Sequence, residues 1–155
     1  MKYRELFLAL VLGLLLAASA PAQVPAPGII EGSLAYPSEF IPPDMTICAE
    51  NIASKERFCT AQHLKGKQFQ HGRGYRLKVP PGEYHVYAYL PDPGKYGADY
   101  PKDYRAYYSE FVKCGMLESC PSHAPVAVRV KSGDHLKKID PQDWYNLYWL
   151  DQKGR

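Results

Sequence analysis

Residues 75–88 carry the sequence YRLKVPPGEYHVYA, and this stretch decides the class of fold. Before the central Pro-Pro-Gly, apolar side chains from Tyr75 to Val79 alternate with charged ones, and after it the alternation resumes at Tyr84. A period of two is typical of a β-strand with one buried face, and a Pro-Gly pair marks a turn. The stretch therefore predicts two strands that meet at a tight turn, with Gly82 permitting the turn.

The same alternation recurs along the rest of the chain, between segments rich in proline and glycine. Short strands with frequent turns are typical of two sheets packed face to face. We therefore predict a mainly β protein, a β-sandwich of about seven strands. The predicted strands cover residues 30–36, 45–51, 57–62, 75–79, 84–90, 126–130 and 136–139.

One segment, residues 99–114, breaks the alternation. Its aromatic side chains recur at offsets of three and four, which is the spacing of one helix face. The pattern predicts one short helical insertion that begins after Pro101 and ends at Gly115. The aromatic residues concerned are Tyr104, Tyr107, Tyr108 and Phe111.

Cys48, Cys59, Cys114 and Cys120 are the four cysteines of the chain. An even number of cysteines in an exported protein indicates disulfide bonds, and four cysteines allow three pairings. If the second and third predicted strands form a hairpin centred on residues 53–54, Cys48 lies directly opposite Cys59, at a spacing that suits a disulfide. Sequence favours that pair together with Cys114–Cys120, which would close a small loop.

The chain begins with the pattern of a secretory signal peptide. Lys2 and Arg4 precede an apolar run, and Ala20-Pro21-Ala22 supplies the small residues of a cleavage site. We predict a signal peptide over residues 1–22 with cleavage after Ala22. The apolar run is shorter than the roughly 20 residues of a membrane-spanning helix, so we expect no stable membrane insertion after cleavage. The sequence therefore predicts a secreted or periplasmic protein.

Cleavage would leave a flexible leader over residues 23–28 and a single domain over residues 29–155. Removal of two basic and one acidic residue lowers the net charge from +3 to +2, and the remaining basic residues are scattered. A nucleic-acid-binding protein shows a clustered basic stripe. Composition therefore argues against a nucleic-acid partner.

Residues 32–38 (GSLAYPS) and the stretch 75–88 together resemble carboxypeptidase regulatory-like domains. The strand, Pro-Pro-Gly-x-Tyr, strand hairpin is the most recognisable piece of that family. The resemblance covers most of residues 28–139 and implies a transthyretin-like (prealbumin-like) Greek-key β-sandwich. Such domains occur as accessory modules beside enzymes and alone in exported proteins, so the resemblance implies no activity. The helical insertion and the two disulfides depart from the family pattern.

No metal or catalytic constellation stands out in the sequence. The histidines lack the spacing of paired metal ligands, and the acidic residues lack the order of a calcium loop. Ser109-Glu110 is the one suggestive dipeptide, and no serine can be placed beside a histidine from chain order alone. We expect no cofactor, no metal and no enzymatic activity. The histidines are His63, His71, His85, His123 and His135.

Aromatic residues are the strongest functional signal, because tyrosine and tryptophan are enriched at interfaces and also stack on sugar rings. The first hypothesis is a non-enzymatic binding or accessory module that binds another envelope protein through an aromatic surface. The second is a binder of carbohydrate or peptidoglycan by aromatic stacking, and a small hydrolase ranks last. The candidate surface comprises Tyr87, Tyr89, Tyr104, Tyr107, Tyr108, Trp144 and Tyr145.

Overall fold

The computed structural model describes residues 24–98 and 100–146. The predicted signal peptide, residues 1–22, lies outside the described residues. Within them the chain forms nine β-strands, one 3₁₀ turn (Pro93–Tyr96) and one short helix, α1 (Glu110–Lys113). The strands are β1 (Gly28–Ser33), β2 (Thr46–Asn51), β3 (Arg57–Thr60), β4 (Leu64–Lys65), β5 (Arg73–Val79), β6 (Gly82–Tyr89), β7 (Ala106–Tyr107), β8 (Val128–Val130) and β9 (His135–Leu136).

The strands form two sheets, which confirms the predicted β-sandwich. The first sheet has the order β4-β5-β1-β9, in which β9 runs parallel to β1. The second has the order β3-β2-β6-β7, and β8 also pairs with β6. Because β2 occupies one side of β6, β7 and β8 share the other side, β8 opposite its beginning and β7 opposite its end.

The core lies between the sheets, where the predicted alternation places it. Apolar side chains of β5 and β6 point inward, while Arg76 and Lys78 of β5 stay exposed. Each fully buried aliphatic or aromatic side chain of this kind contributes about 1.5–3 kcal/mol. The core side chains include Ile30, Leu34, Met45, Ile47, Tyr75, Leu77, Val79, Tyr84, Val86, Leu90, Val128 and Val130.

The prediction of a hairpin around Pro-Pro-Gly is wrong in its pairing. β5 pairs with β1 and β4, and β6 pairs with β2, β7 and β8, so Pro80 and Pro81 carry the chain from one sheet to the other. Pro80 and Pro81 have no backbone N–H with which to continue a ladder. The hydroxyl of Tyr84 donates to the carbonyl oxygen of Pro80 at 2.7 Å and fixes the crossing.

Space at Gly82 is limited, but its backbone does not adopt an unusual turn conformation. The backbone φ of Gly82 does not lie in the positive, left-handed region. A Cβ at this position would lie 2.8 Å from Nδ2 of Asn51, so the amide end of that side chain would have to shift.

The short helical insertion is present, but its predicted extent is wrong. Helix α1 covers only Glu110–Lys113, and the chain turns through Gly115 in a left-handed conformation. The residues before it include the short strand β7, in which Tyr107 pairs with Tyr87 of β6. The free backbone edge of β6 binds this segment, so strand pairing takes the place of the helix that the spacing of the tyrosines suggests.

Both predicted disulfides are present. Cys48 of β2 and Cys59 of β3 face each other in an antiparallel pair and are bonded. Cys114 and Cys120 are bonded across the loop that follows α1. The described residues contain no free cysteine.

Candidate functional site

The seven aromatic residues of the predicted surface divide between two places. Tyr87, Tyr89 and Tyr107 lie on the outer face of the second sheet, packed with Cys48. The others belong to the main core or adjoin it: Tyr104 and Trp144 are part of it, Tyr108 packs against it, and Tyr145 lines a cavity beside Trp144.

Four of the seven are buried and do not offer a surface to a partner. Tyr87 and Tyr107 are 2% and 7% exposed to solvent, and Tyr104 and Trp144 are 4% and 3% exposed. Tyr145 is 56% exposed, and Tyr89 and Tyr108 are half-buried. The accessible part of the predicted surface is therefore narrower than the sequence suggests.

Arg105 covers the outer face of the second sheet. Its guanidinium lies 4.5 Å from the centre of the Tyr87 ring, which is the geometry of a cation–π contact. Burial lowers the pKa of Arg105, but its hydrogen bond to the Tyr107 hydroxyl and the nearby Glu50 carboxylate raise it above the usual value. The guanidinium stays charged in this half-buried position.

Burial also raises the pKa of the phenols of Tyr87 and Tyr107, although Arg105 acts in the opposite direction. Both phenols therefore stay protonated at neutral pH and remain able to donate hydrogen bonds. Beside them lies a cavity of 250 Å³, here named the sheet-face cavity, which adjoins the Cys48–Cys59 disulfide. Its other lining residues are Arg57, Tyr89, Lys102, Asp103 and Arg105.

A stack of aromatic rings closes the end of the sandwich. Tyr104 lies parallel to both Tyr100 and Trp144, at ring-centre distances of 4.5 and 6.2 Å. Tyr36 meets Trp144 edge to face at 5.1 Å. Two hydrogen bonds fix the stack: the Tyr104 hydroxyl donates to the Trp144 carbonyl oxygen, and the Trp144 indole donates to the carbonyl oxygen of Ala35.

Two cavities of 360 and 190 Å³ flank this stack and share the lining residues Ala35, Tyr36 and His71. The two cavities adjoin at these shared residues, and together they are here named the end groove. Its remaining lining residues are Pro37, Ser38, Glu39, Phe40, Ile41, Arg73, Met116, Gln142, Trp144 and Tyr145.

Sequence reasoning missed several residues of these two surfaces, above all Tyr36, Phe40 and Arg105. Phe40 is 53% exposed and lies outside every predicted strand, and an aromatic ring in a proline-rich loop is a signal for it. No local signal marks Arg105, because its position over Tyr87 depends on the pairing of β7 with β6.

Ser109, His123 and Asp143 meet, although nothing in the chain order suggests it. The Ser109 hydroxyl donates to Oδ2 of Asp143 at 2.6 Å, and Nδ1 of His123 lies 2.8 and 2.9 Å from the two carboxylate oxygens. Ser109 is fully buried and also accepts a hydrogen bond from the backbone N–H of Val112, as the N-cap of α1. A nucleophilic serine instead contacts the imidazole of the histidine, with its hydroxyl open to substrate. The contacts among these three side chains instead join three distant segments of the chain.

Within residues 24–98 and 100–146, no group of three or more His, Cys, Asp or Glu side chains is arranged to hold a metal ion. No helix in that part of the chain is long and apolar enough to cross a membrane.

Comparison with known proteins gives no relative. No protein-family model matches the chain, and neither a curated protein nor a solved structure matches it.

Proposed function

We propose that this chain is an exported, non-enzymatic binding module that contacts another protein of the cell envelope or secreted fraction through the end groove. One observation carries the proposal. Of the described residues, five large hydrophobic side chains are notably exposed, and three of them line this groove: Phe40, Met116 and Tyr145. A fourth, Leu117, is adjacent in sequence to Met116.

The composition of the end groove supports a protein partner. Aromatic residues and methionine are enriched at the centres of protein interfaces, with polar groups around them. The Phe40 and Tyr145 rings supply apolar area to be buried, and His71, Arg73 and Glu39 supply a polar rim. The buried stack under Tyr36 holds that part of the floor rigid, which lowers the entropy lost on binding.

The proposal includes membership of the carboxypeptidase regulatory-like family, with its transthyretin-like sandwich. The two-sheet architecture and the sequence of residues 75–88 support it, while the crossing of these residues between the sheets departs from the hairpin of the family pattern. Such a domain acts as an accessory module, which agrees with binding in place of catalysis. The fold by itself does not define the partner.

A capture experiment with matched variants tests the partner-binding role. The oxidised mature protein, from Gln23 onward, is immobilised and exposed to envelope and secreted extract of its native host. The test variant is Phe40→Ala/Tyr145→Ala. The control is Val24→Ala, which removes an exposed apolar side chain (90% exposed) before the start of β1, away from the end groove.

We expect a protein that the wild type and the Val24→Ala control retain and the double variant loses. After purification it should bind the wild type at least tenfold more tightly than the double variant, because two aromatic contacts at an interface centre are worth more than about 1.4 kcal/mol. Equal retention by all three proteins, or no retained protein, would contradict the proposal.

A further inference from the structure

The sheet-face cavity gathers positive charge on a sheet face that is otherwise aromatic. Arg57, Lys102 and Arg105 line it, with the Asp103 carboxylate among them. Arg57 and Arg105 both contact Glu50, at 3.2 and 3.5 Å. Three cations thus meet two carboxylates, and the cavity carries an excess of one positive charge.

Two of the three cationic groups, Arg57 and Arg105, are held in place before any ligand arrives, because both contact Glu50. The Arg105 side chain is only 21% exposed, and its guanidinium rests over the Tyr87 ring. Arg57 extends from β3, next to the disulfide that joins β3 to β2. A charged group fixed in this way binds an anion with little loss of side-chain entropy. Lys102 is exposed at the rim, where it is accessible to a ligand from solvent.

The size and walls of the cavity indicate the kind of anion. Its 250 Å³ is below the roughly 300–1,000 Å³ of pockets that enclose a drug-sized ligand, so it fits one unit of a longer molecule. The half-buried Tyr89 ring forms one wall, tilted at 49° to the Tyr87 ring.

We propose that the sheet-face cavity binds one carboxylate-bearing sugar unit of an acidic glycan. In this arrangement Arg57, Lys102 and Arg105 bind the carboxylate, and Tyr89 packs against the sugar ring. The Tyr89 ring favours a sugar over an acidic peptide, because a sugar ring packs against an aromatic ring and the carboxylate side chain of a peptide does not. The site shares no lining residue with the end groove, so it is separate from the proposed partner-binding surface.

Titration with three probes tests the proposal on the oxidised mature protein. The probes are a trimer of galacturonic acid, the neutral galactose trimer of the same linkage, and a triglutamate peptide, each followed by calorimetry. We expect the uronate trimer to bind and the neutral trimer to bind at least tenfold more weakly. The affinity for the uronate should fall as salt is raised, because exposed charges are screened.

Lys102→Gln is the test variant, and Lys78→Gln is its matched control, an exposed lysine on the outer face of the other sheet. We expect Lys102→Gln to weaken uronate binding about tenfold, as the loss of one charge-assisted hydrogen bond does, and Lys78→Gln to leave it unchanged. Equal binding of the charged and neutral trimers, equal effects of the two variants, or no binding of the uronate would overturn the proposal. Tighter binding of triglutamate would overturn the sugar assignment in favour of an acidic peptide. Neither variant alters the end groove, so failure here is distinguishable from failure of the capture experiment.

Discussion

The Ser109 hydroxyl donates a hydrogen bond of 2.6 Å to Asp143, a residue 34 positions later, and neither side chain is exposed to solvent. His123 contacts the same carboxylate from the segment that leads to β8. The cluster therefore connects the start of α1, this segment and the tail, and its loss should be measurable as a loss of stability.

Ser109→Ala removes the donor to a buried carboxylate and the N-cap of α1 at once. Because a buried polar group that loses its partner costs about 1–3 kcal/mol, we expect the free energy of unfolding in urea to fall by about 2 kcal/mol. Ser132→Ala is the control, since Ser132 is exposed, and should change stability by less than about 0.5 kcal/mol. Equal stability of the two variants would show that the link contributes nothing.

The two disulfides should differ in their contribution to stability. Cys48–Cys59 closes a loop of sequence separation 11, and Cys114–Cys120 one of 6. Loop entropy alone gives about 3 and about 2 kcal/mol. Cys48 is also buried against Tyr87, whereas Cys114 is exposed. We expect Cys48→Ala/Cys59→Ala to lower the unfolding free energy more than Cys114→Ala/Cys120→Ala does, and the reverse order in urea unfolding would contradict this interpretation.

Gly32→Ala should destabilise the first sheet. A Cβ at Gly32 would lie 1.9 Å from the carbonyl oxygen of Ile139, which is backbone and cannot rotate away. Overpacking of this kind costs about 1–3 kcal/mol, to be measured by thermal and urea unfolding. At Gly94 the nearest atom to an added Cβ, Oδ1 of Asp92, is 3.6 Å away, so Gly94→Ala should stay within about 0.5 kcal/mol of the wild type. A Gly32→Ala protein as stable as Gly94→Ala would show that β1 and the Ile139 segment are not in contact.

The Glu31–Arg76 ion pair gives a pH-dependent contribution to stability. Burial raises the pKa of Glu31, but the hydrogen bonds and charge of Arg76, together with His135, outweigh burial and lower the pKa below its usual value of 4.5. A carboxyl group whose pKa is lower in the folded protein stabilises it above the unfolded pKa and loses that effect as pH falls through the folded pKa.

Arg76→Gln should therefore reduce stability at pH 7 by about 1 kcal/mol, and the difference from the wild type should shrink as pH falls below 4.5 and through the lowered pKa of folded Glu31. Arg129→Gln is the matched control, because its ion pair with Glu83 also joins two strands but has side chains 74% and 46% exposed. It should have almost no effect at either pH. Urea unfolding from pH 3 to 7 makes the comparison, and a pH-independent effect of Arg76→Gln would contradict the interpretation.

The export prediction is tested by the mass of the mature protein. We expect the secreted or periplasmic product to begin at Gln23 and to carry no free thiol. A product that retains the first 22 residues, or that remains reduced in the cytoplasm, would contradict it.

The sequence alone predicted those features of the fold that depend on residues close together in the chain. The Cys48–Cys59 pair follows from two short strands and a tight connection, since register then places the cysteines opposite each other. The inward face of β5 follows from simple alternation. These features require only local geometry and one buried face.

The sequence alone did not predict the contacts between segments that are far apart in the chain. The spacing of Tyr104, Tyr107 and Tyr108 suits a helix, but Tyr107 pairs with β6 and Tyr104 stacks on Trp144. The Ser109–Asp143 hydrogen bond likewise depends on where the tail returns. Local periodicity carries no information about such contacts, so it did not show which aromatic residues are buried.

Site-specific photo-crosslinking at Tyr145 tests the central claim, that the end groove binds a protein, most directly. A photoreactive phenylalanine analogue replaces Tyr145 or, as the control, Lys78, in cells that naturally produce the protein, and irradiated samples are compared by mass. We predict a discrete adduct with one exported protein at position 145 and none at position 78. No adduct at position 145, or the same adducts at both positions, would contradict the account.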